Sequence, residues 1–181
     1  SEKNHLYKII LKSLRSYYSE QSVSSTLKQE IKNVEILYNK ALYKECDKFV
    51  SRAKQLAQKH EKFYYWFELI SWEKKLLDSA SESGIFSSDL DKLVEEEEMV
   101  IAKLRNLAEY TVIYSKINLV FRSGGFTRNE KERKVVADIA DYHLIKGKNT
   151  ALSVKAASIC YYIKGLCAAT NRNYKDSFEF F

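Results

Sequence analysis

Not one of the 181 residues is proline. Average usage is about 5%, so roughly nine prolines are expected in a chain of this length. Their absence removes the commonest helix breaker and turn former, and long helices follow. Glycine is nearly as scarce, with five residues, of which Gly84, Gly124, Gly125 and Gly147 fall where the helical pattern pauses. Thirteen Tyr, nine Phe and two Trp supply more apolar surface than a disordered chain carries.

Periodicity makes the helices specific. Tyr43, Cys46, Phe49, Val50, Ala53, Leu56 and Ala57 hold a 3.6-residue rhythm that buries one stripe. The next segment has two stripes, Phe63, Trp66, Phe67, Ile70, Leu77 and Tyr65, Leu69, Trp72, Leu76, as expected of an inner helix packed on both sides. Helices are predicted near residues 3–18, 23–40, 43–60, 62–79, 88–105, 107–122, 129–146 and 150–171, with another starting at Tyr174. Ser88 before Asp91 and Asn129 before Glu132 read as capping boxes. Connections as short as Leu42 force neighbouring helices antiparallel, and no strand signal competes. The expectation is one all-α domain over residues 1–181, with 79–88 as the best candidate for a flexible loop. A start at Ser1 and an aromatic stop at Phe178, Phe180 and Phe181 read as a piece of a longer protein.

Tyr161, Gly165, Tyr174, Ser177 and Phe181 fall at the spacings of one helix-turn-helix unit, and Val34, Tyr43, Cys46, Val50 and Ala53 form a weaker copy. This pattern resembles the tetratricopeptide repeat, W-x2-L-G-x2-Y followed by A-x3-F. Lys164 and Ala168 depart from it, while Trp66, Leu69, Ile70 and Tyr110, Ile113, Tyr114 give further degenerate copies. Equivalent points at Val34, Ile70, Tyr114 and Gly165 lie 36, 44 and 51 residues apart, against a family period of about 34. Units of about 40 to 47 residues would also suit HEAT or armadillo repeats, which usually carry prolines at helix ends.

The resemblance implies antiparallel hairpins stacked in a right-handed superhelix, a non-catalytic scaffold whose concave groove binds a peptide or partner helix. By position that groove includes Lys28, Glu35, Tyr38, Asn39, Tyr64, Ser71, Lys74, Lys75, Thr111, Ser115, Asn118, Tyr162 and Thr170. Tyr38, Tyr64 and Tyr162 would be its anchor pockets. The basic and Asn clamp that some members use on a peptide carboxylate is not reproduced, since Ile31 and Glu35 stand there.

No enzyme, metal or cofactor signature is found. His5, His60 and His143 lie on separate predicted helices, and His143 continues the stripe of Val136, Ile139 and Ala140 as a partly buried residue. Glu95 to Glu98 point around most of a helix and read as a solvated first turn. Cys46, Cys160 and Cys167 have no zinc or disulfide spacing and read as small core residues in a reducing cytoplasm. No apolar run approaches a membrane span, and no membrane partner is expected. Residues 1–75 hold 15 basic and 9 acidic side chains, 76–110 hold 3 and 9, and 111–181 hold 12 and 6. The basic thirds leave an RNA- or DNA-binding repeat as the alternative, through Lys28, Lys32, Arg128, Arg133 and Lys134.

Overall fold

A computed structural model of the chain describes residues 2–18, 22–79 and 86–180, with side chains described for 2–14, 22–79 and 90–180. Every regular element among them is helical: α1 (Glu2–Tyr18), α2 (Val23–Asn39), α3 (Tyr43–Lys59), α4 (Phe63–Ser79), α5 (Phe86–Arg122), α6 (Glu130–Asp141), α7 (His143–Lys146), α8 (Val154–Thr170) and α9 (Tyr174–Phe180). Internal contacts group the chain into two compact units, Ser1–Val100 and Ile101–Phe181.

In the first unit, α3 packs on both α2 and α4, and α2 touches α4. The amphipathic stripe of α3 is buried through Cys46, Val50, Ala53 and Ala57. Both stripes of α4 contribute to the core, through Phe63, Trp66, Ile70 and through Leu69, Leu76. In the second unit, Tyr110, Ile113, Ile117 and Val120 of α5 meet Val136 and Ile139 of α6, Leu144 and Ile145 of α7, and Ala156, Cys160, Ile163 and Leu166 of α8. Tyr110 is fully buried, and its hydroxyl donates to the Leu144 carbonyl at 2.9 Å and lies 2.7 Å from the Thr150 hydroxyl. The polar end of the ring is thereby satisfied inside an apolar core, as burial requires. All three cysteines are buried and unpaired.

One turn recurs three times. After α2, the Leu42 amide donates to Leu37 O at 3.0 Å and the Ala41 amide to Tyr38 O at 2.9 Å, with Ala41 at φ 57°. After α3 the same bonds run from Lys62 to Ala57 O and from Glu61 to Gln58 O, with Glu61 at φ 48°. After α8 they run from Asn173 to Ala168 O and from Arg172 to Ala169 O, with Arg172 at φ 61°. This is the Schellman closure, in which a left-handed residue ends the helix and satisfies its last carbonyls. Glycine occupies none of the three left-handed positions, which Ala41, Glu61 and Arg172 fill, and the helix ends expected near 40, 60 and 171 fall at these turns. Two hairpins also share a hydrogen bond between positions twelve residues apart: the Ser177 hydroxyl donates to Gly165 O at 3.1 Å and the Cys46 thiol to Val34 O at 3.5 Å. These bonds link α8 to α9 and α2 to α3.

Several expectations are corrected. The helices predicted over 88–105 and 107–122 are one helix, α5, whose first residue, Phe86, places Ser88 inside it rather than at its cap. The polar break at Asn106 ends nothing, because its side chain is spent on tertiary contacts: Nδ2 donates to Thr150 O and Oδ1 accepts from the Leu152 amide, both at 3.0 Å. The helix predicted over 129–146 divides where Tyr142 turns extended, at φ −62° and ψ 136°. Asn129 caps α6 as expected, accepting from the Glu132 amide at 2.9 Å, while Glu132 reaches back to the Arg128 amide. His143 is exposed, because Leu144 and Ile145 take the buried face of α7. Tyr161 and Tyr174, at aromatic positions of the repeat pattern, are also exposed. Residues 80–85 of the expected loop, with Gly84, and Phe181 lie outside the described residues.

Candidate partner-binding groove

The residues expected to form a groove fall into small local groups. In the first unit, Tyr38 of α2 packs edge-on against Trp72 of α4, with ring centroids 5.5 Å apart, and its hydroxyl meets Ser79 Oγ at 2.9 Å. Lys75 lies over the other partner of that contact, 4.2 Å from the Trp72 ring centroid. Tyr38 and Lys75 are therefore brought together. Glu35 pairs with Lys32 at 2.7 Å, Ser71 donates to the Phe67 carbonyl, and Lys28, Asn39 and Tyr64 are exposed. In the second unit, Thr111 and Ser115 donate to carbonyls one turn back on α5, and Asn118 is half-buried along the same line. Tyr162 of α8 meets Tyr114 of α5 edge-on at 6.1 Å. Thr170 leaves the set: it is fully buried and its hydroxyl is spent on Leu166 O and Cys167 O.

A different surface forms an apolar groove. Val112, Lys116 and Leu119 on one side of α5, with Val135, Asp138 and Tyr142 at α6, border a cavity of about 780 Å³ floored by Ile113 and Ile139. None of the thirteen expected residues lines it. Leu119 is 74% exposed and Val112 55%, values that burial of the neighbouring Tyr110, Ile113 and Ile117 makes conspicuous. At one end Arg105 pairs with Glu109 at 3.1 Å. Lys116 and Asp138, on opposite walls, form no ion pair among the described residues. The signal was in the sequence. Val112 and Leu119, two turns apart, form a second apolar pair beside the buried stripe, on the flank next to the Thr111 and Ser115 that the repeat resemblance singled out.

The acidic run of α5 also behaves differently from expectation. Glu96 and Glu97 are well inside the helix and half-buried. Lys54 of α3 donates to Glu73 of α4 at 2.6 Å and to Glu96 at 3.0 Å. Glu96 also accepts from Trp66 Nε1 at 2.6 Å and Gln58 Nε2 at 3.1 Å, and Lys74 pairs with Glu97 at 2.6 Å. Lys74, placed in the expected groove, is thus engaged within the fold. Burial pushes the Glu73 carboxyl above its ordinary range, against the lowering effect of Lys54. For Lys54 itself, burial opposes the charge, but hydrogen bonds to Glu73 and Glu96 outweigh it and hold the ammonium above its usual value. The cluster is a polar clasp joining α3, α4 and α5. No group of three or more metal-ligating side chains occurs among the described residues.

No protein family, curated protein or solved structure matches this chain. Among the described residues the structure defines an all-α protein in which neighbouring helices pack together within each unit, as α2, α3 and α4 do in the first and α6, α7, α8 and α9 in the second.

Proposed function

We propose that this chain is a non-catalytic interaction module of tetratricopeptide-like hairpins that binds an amphipathic helix of a partner protein. The observation that carries the reading is the apolar groove between α5 and α6, with its exposed Leu119 and Val112. A helix laid in such a groove buries its own stripe there. Lys116 and Asp138 favour a partner with an acidic flank toward α5 and a basic flank toward α6. The shared turns of α2–α3 and α8–α9, with the Cys46–Val34 and Ser177–Gly165 hydrogen bonds, support the repeat assignment, and the right-handed superhelix is carried over from the resemblance. Buried free thiols suit a reducing compartment such as the cytoplasm. The nucleic-acid reading is weaker, because Lys32 and Arg133 already sit beside Glu35 and Glu130.

The test is capture from the source lysate by immobilised chain, with Val112→Asp/Leu119→Asp alongside. Both side chains are exposed, so the variant should melt within about 0.5 kcal/mol of the parent. The proposal expects a captured protein that survives nuclease and is lost on the variant. Capture unchanged by the variant, or abolished by nuclease, overturns it.

A further inference from the structure

The helix α1 differs from the other long helices. Every residue from Glu2 to Leu14 is exposed, and none of the extensive helix–helix contacts includes it. Its exposed side chains are nevertheless sorted. At about 100° per residue, Ile9, Leu6, Ile10, Leu14, Tyr7 and Leu11 span an arc of about 200°. Glu2, Lys3 and Ser13 alone interrupt that arc, and Lys3 Nζ lies 6.0 Å from the Tyr7 ring centroid. Lys8, Lys12 and His5 take the opposite side. In all, α1 carries Lys3, Lys8, Lys12 and Arg15 against the single acid Glu2.

We propose that α1 lies in the surface of a membrane rich in anionic phospholipids. Its Leu and Ile face enters the acyl boundary, and Lys8 and Lys12 remain at the level of the phosphates. A narrow seam would suit a coiled-coil partner. An apolar arc covering half the circumference suits a flat interface in which half the helix is immersed, and the basic excess supplies the charge complement. The helix rests on the bilayer rather than crossing it, since no helix among the described residues is long and apolar enough to cross. This departs from the expectation of no membrane partner, which came from searching for a span. It stands independently of the groove.

The experiment is co-sedimentation of the full chain with vesicles of phosphatidylcholine alone and of phosphatidylcholine with about one third phosphatidylserine. Because Glu2 to Leu14 are all exposed, Ile10→Glu/Leu14→Glu and Lys8→Glu/Lys12→Glu should keep the parent melting curve. The expected result is binding to the anionic vesicles that each variant weakens by about tenfold or more, while Val112→Asp/Leu119→Asp leaves it unchanged. No sedimentation with either vesicle overturns the proposal. So does equal binding to both vesicles, untouched by the lysine changes. A lipid-independent dimer in light scattering that Ile10→Glu/Leu14→Glu dissolves would assign the face to a second copy instead.

Discussion

Replacing Lys54 by Met keeps most of the side chain's apolar stem and removes the ammonium that Glu73 and Glu96 share. The exposed fractions of the three side chains are 17%, 16% and 20%, so the cluster is neither a surface pair nor fully buried. An exposed pair contributes about 0.2–1 kcal/mol, and breaking a buried one costs about 3–5 kcal/mol because an uncompensated charge remains. With most of each side chain covered, the expected loss is about 2–3 kcal/mol. For a chain of this size that lowers the melting temperature by about 8 °C. The sign of the pH dependence follows from Glu73. Its folded proton affinity is already raised by burial, and losing Lys54 raises it further. Stability tied to a raised carboxyl is present below its unfolded pKa and lost as pH rises through the folded one. The deficit of Lys54→Met should therefore be largest near neutrality and shrink by half or more at about pH 4. Circular dichroism melts at both pH values measure it, with Trp66 fluorescence reporting locally on the indole bond to Glu96. A neutral-pH loss under about 0.5 kcal/mol, or an equal loss at both pH values, would refute the clasp.

Ala41→Gly should stabilise the α2–α3 turn by about 0.5–1 kcal/mol, because relief of about 1–2 kcal/mol of left-handed strain exceeds the added freedom of the unfolded chain; a thermal melt that does not rise refutes this. Burial pushes the Cys167 thiol up to about 11, so iodoacetamide should label the folded chain at about pH 8 only at the rate of opening. Rapid native labelling of Cys167, read by mass spectrometry, would contradict its buried position.

Much of the fold was legible because the signals were local. Missing prolines, the stripe on α3 and the double stripe on α4 each concern one helix and its nearest neighbour, and all are realised. The pair Gly165 and Ser177 was legible for the same reason, since small residues twelve apart in sequence meet across one turn. What failed depended on distant partners. Asn106 looked like a helix boundary because nothing nearby shows that Thr150 and Leu152 will occupy its amide. Glu96 looked solvated because Lys54, Gln58 and Trp66 converge on it from two other helices. The groove was missed for a third reason: the repeat resemblance directed attention to Thr111 and Ser115, while Val112 and Leu119 occupy the neighbouring flank of α5.

The recurring left-handed turn also bears on how such a chain assembles and diversifies. Each closure is complete within a few consecutive residues, and the Cys46–Val34 and Ser177–Gly165 hydrogen bonds each span a single hairpin. A hairpin can thus acquire its geometry while most of the sequence is still uncommitted, and contacts between close sequence neighbours favour fast folding. Damage to one closure should loosen its own pair of helices first, because the bonds it removes lie within that pair. For the same reason the turns are natural places to gain or lose whole hairpins, because the junction requires one residue in a left-handed conformation and no particular side chain.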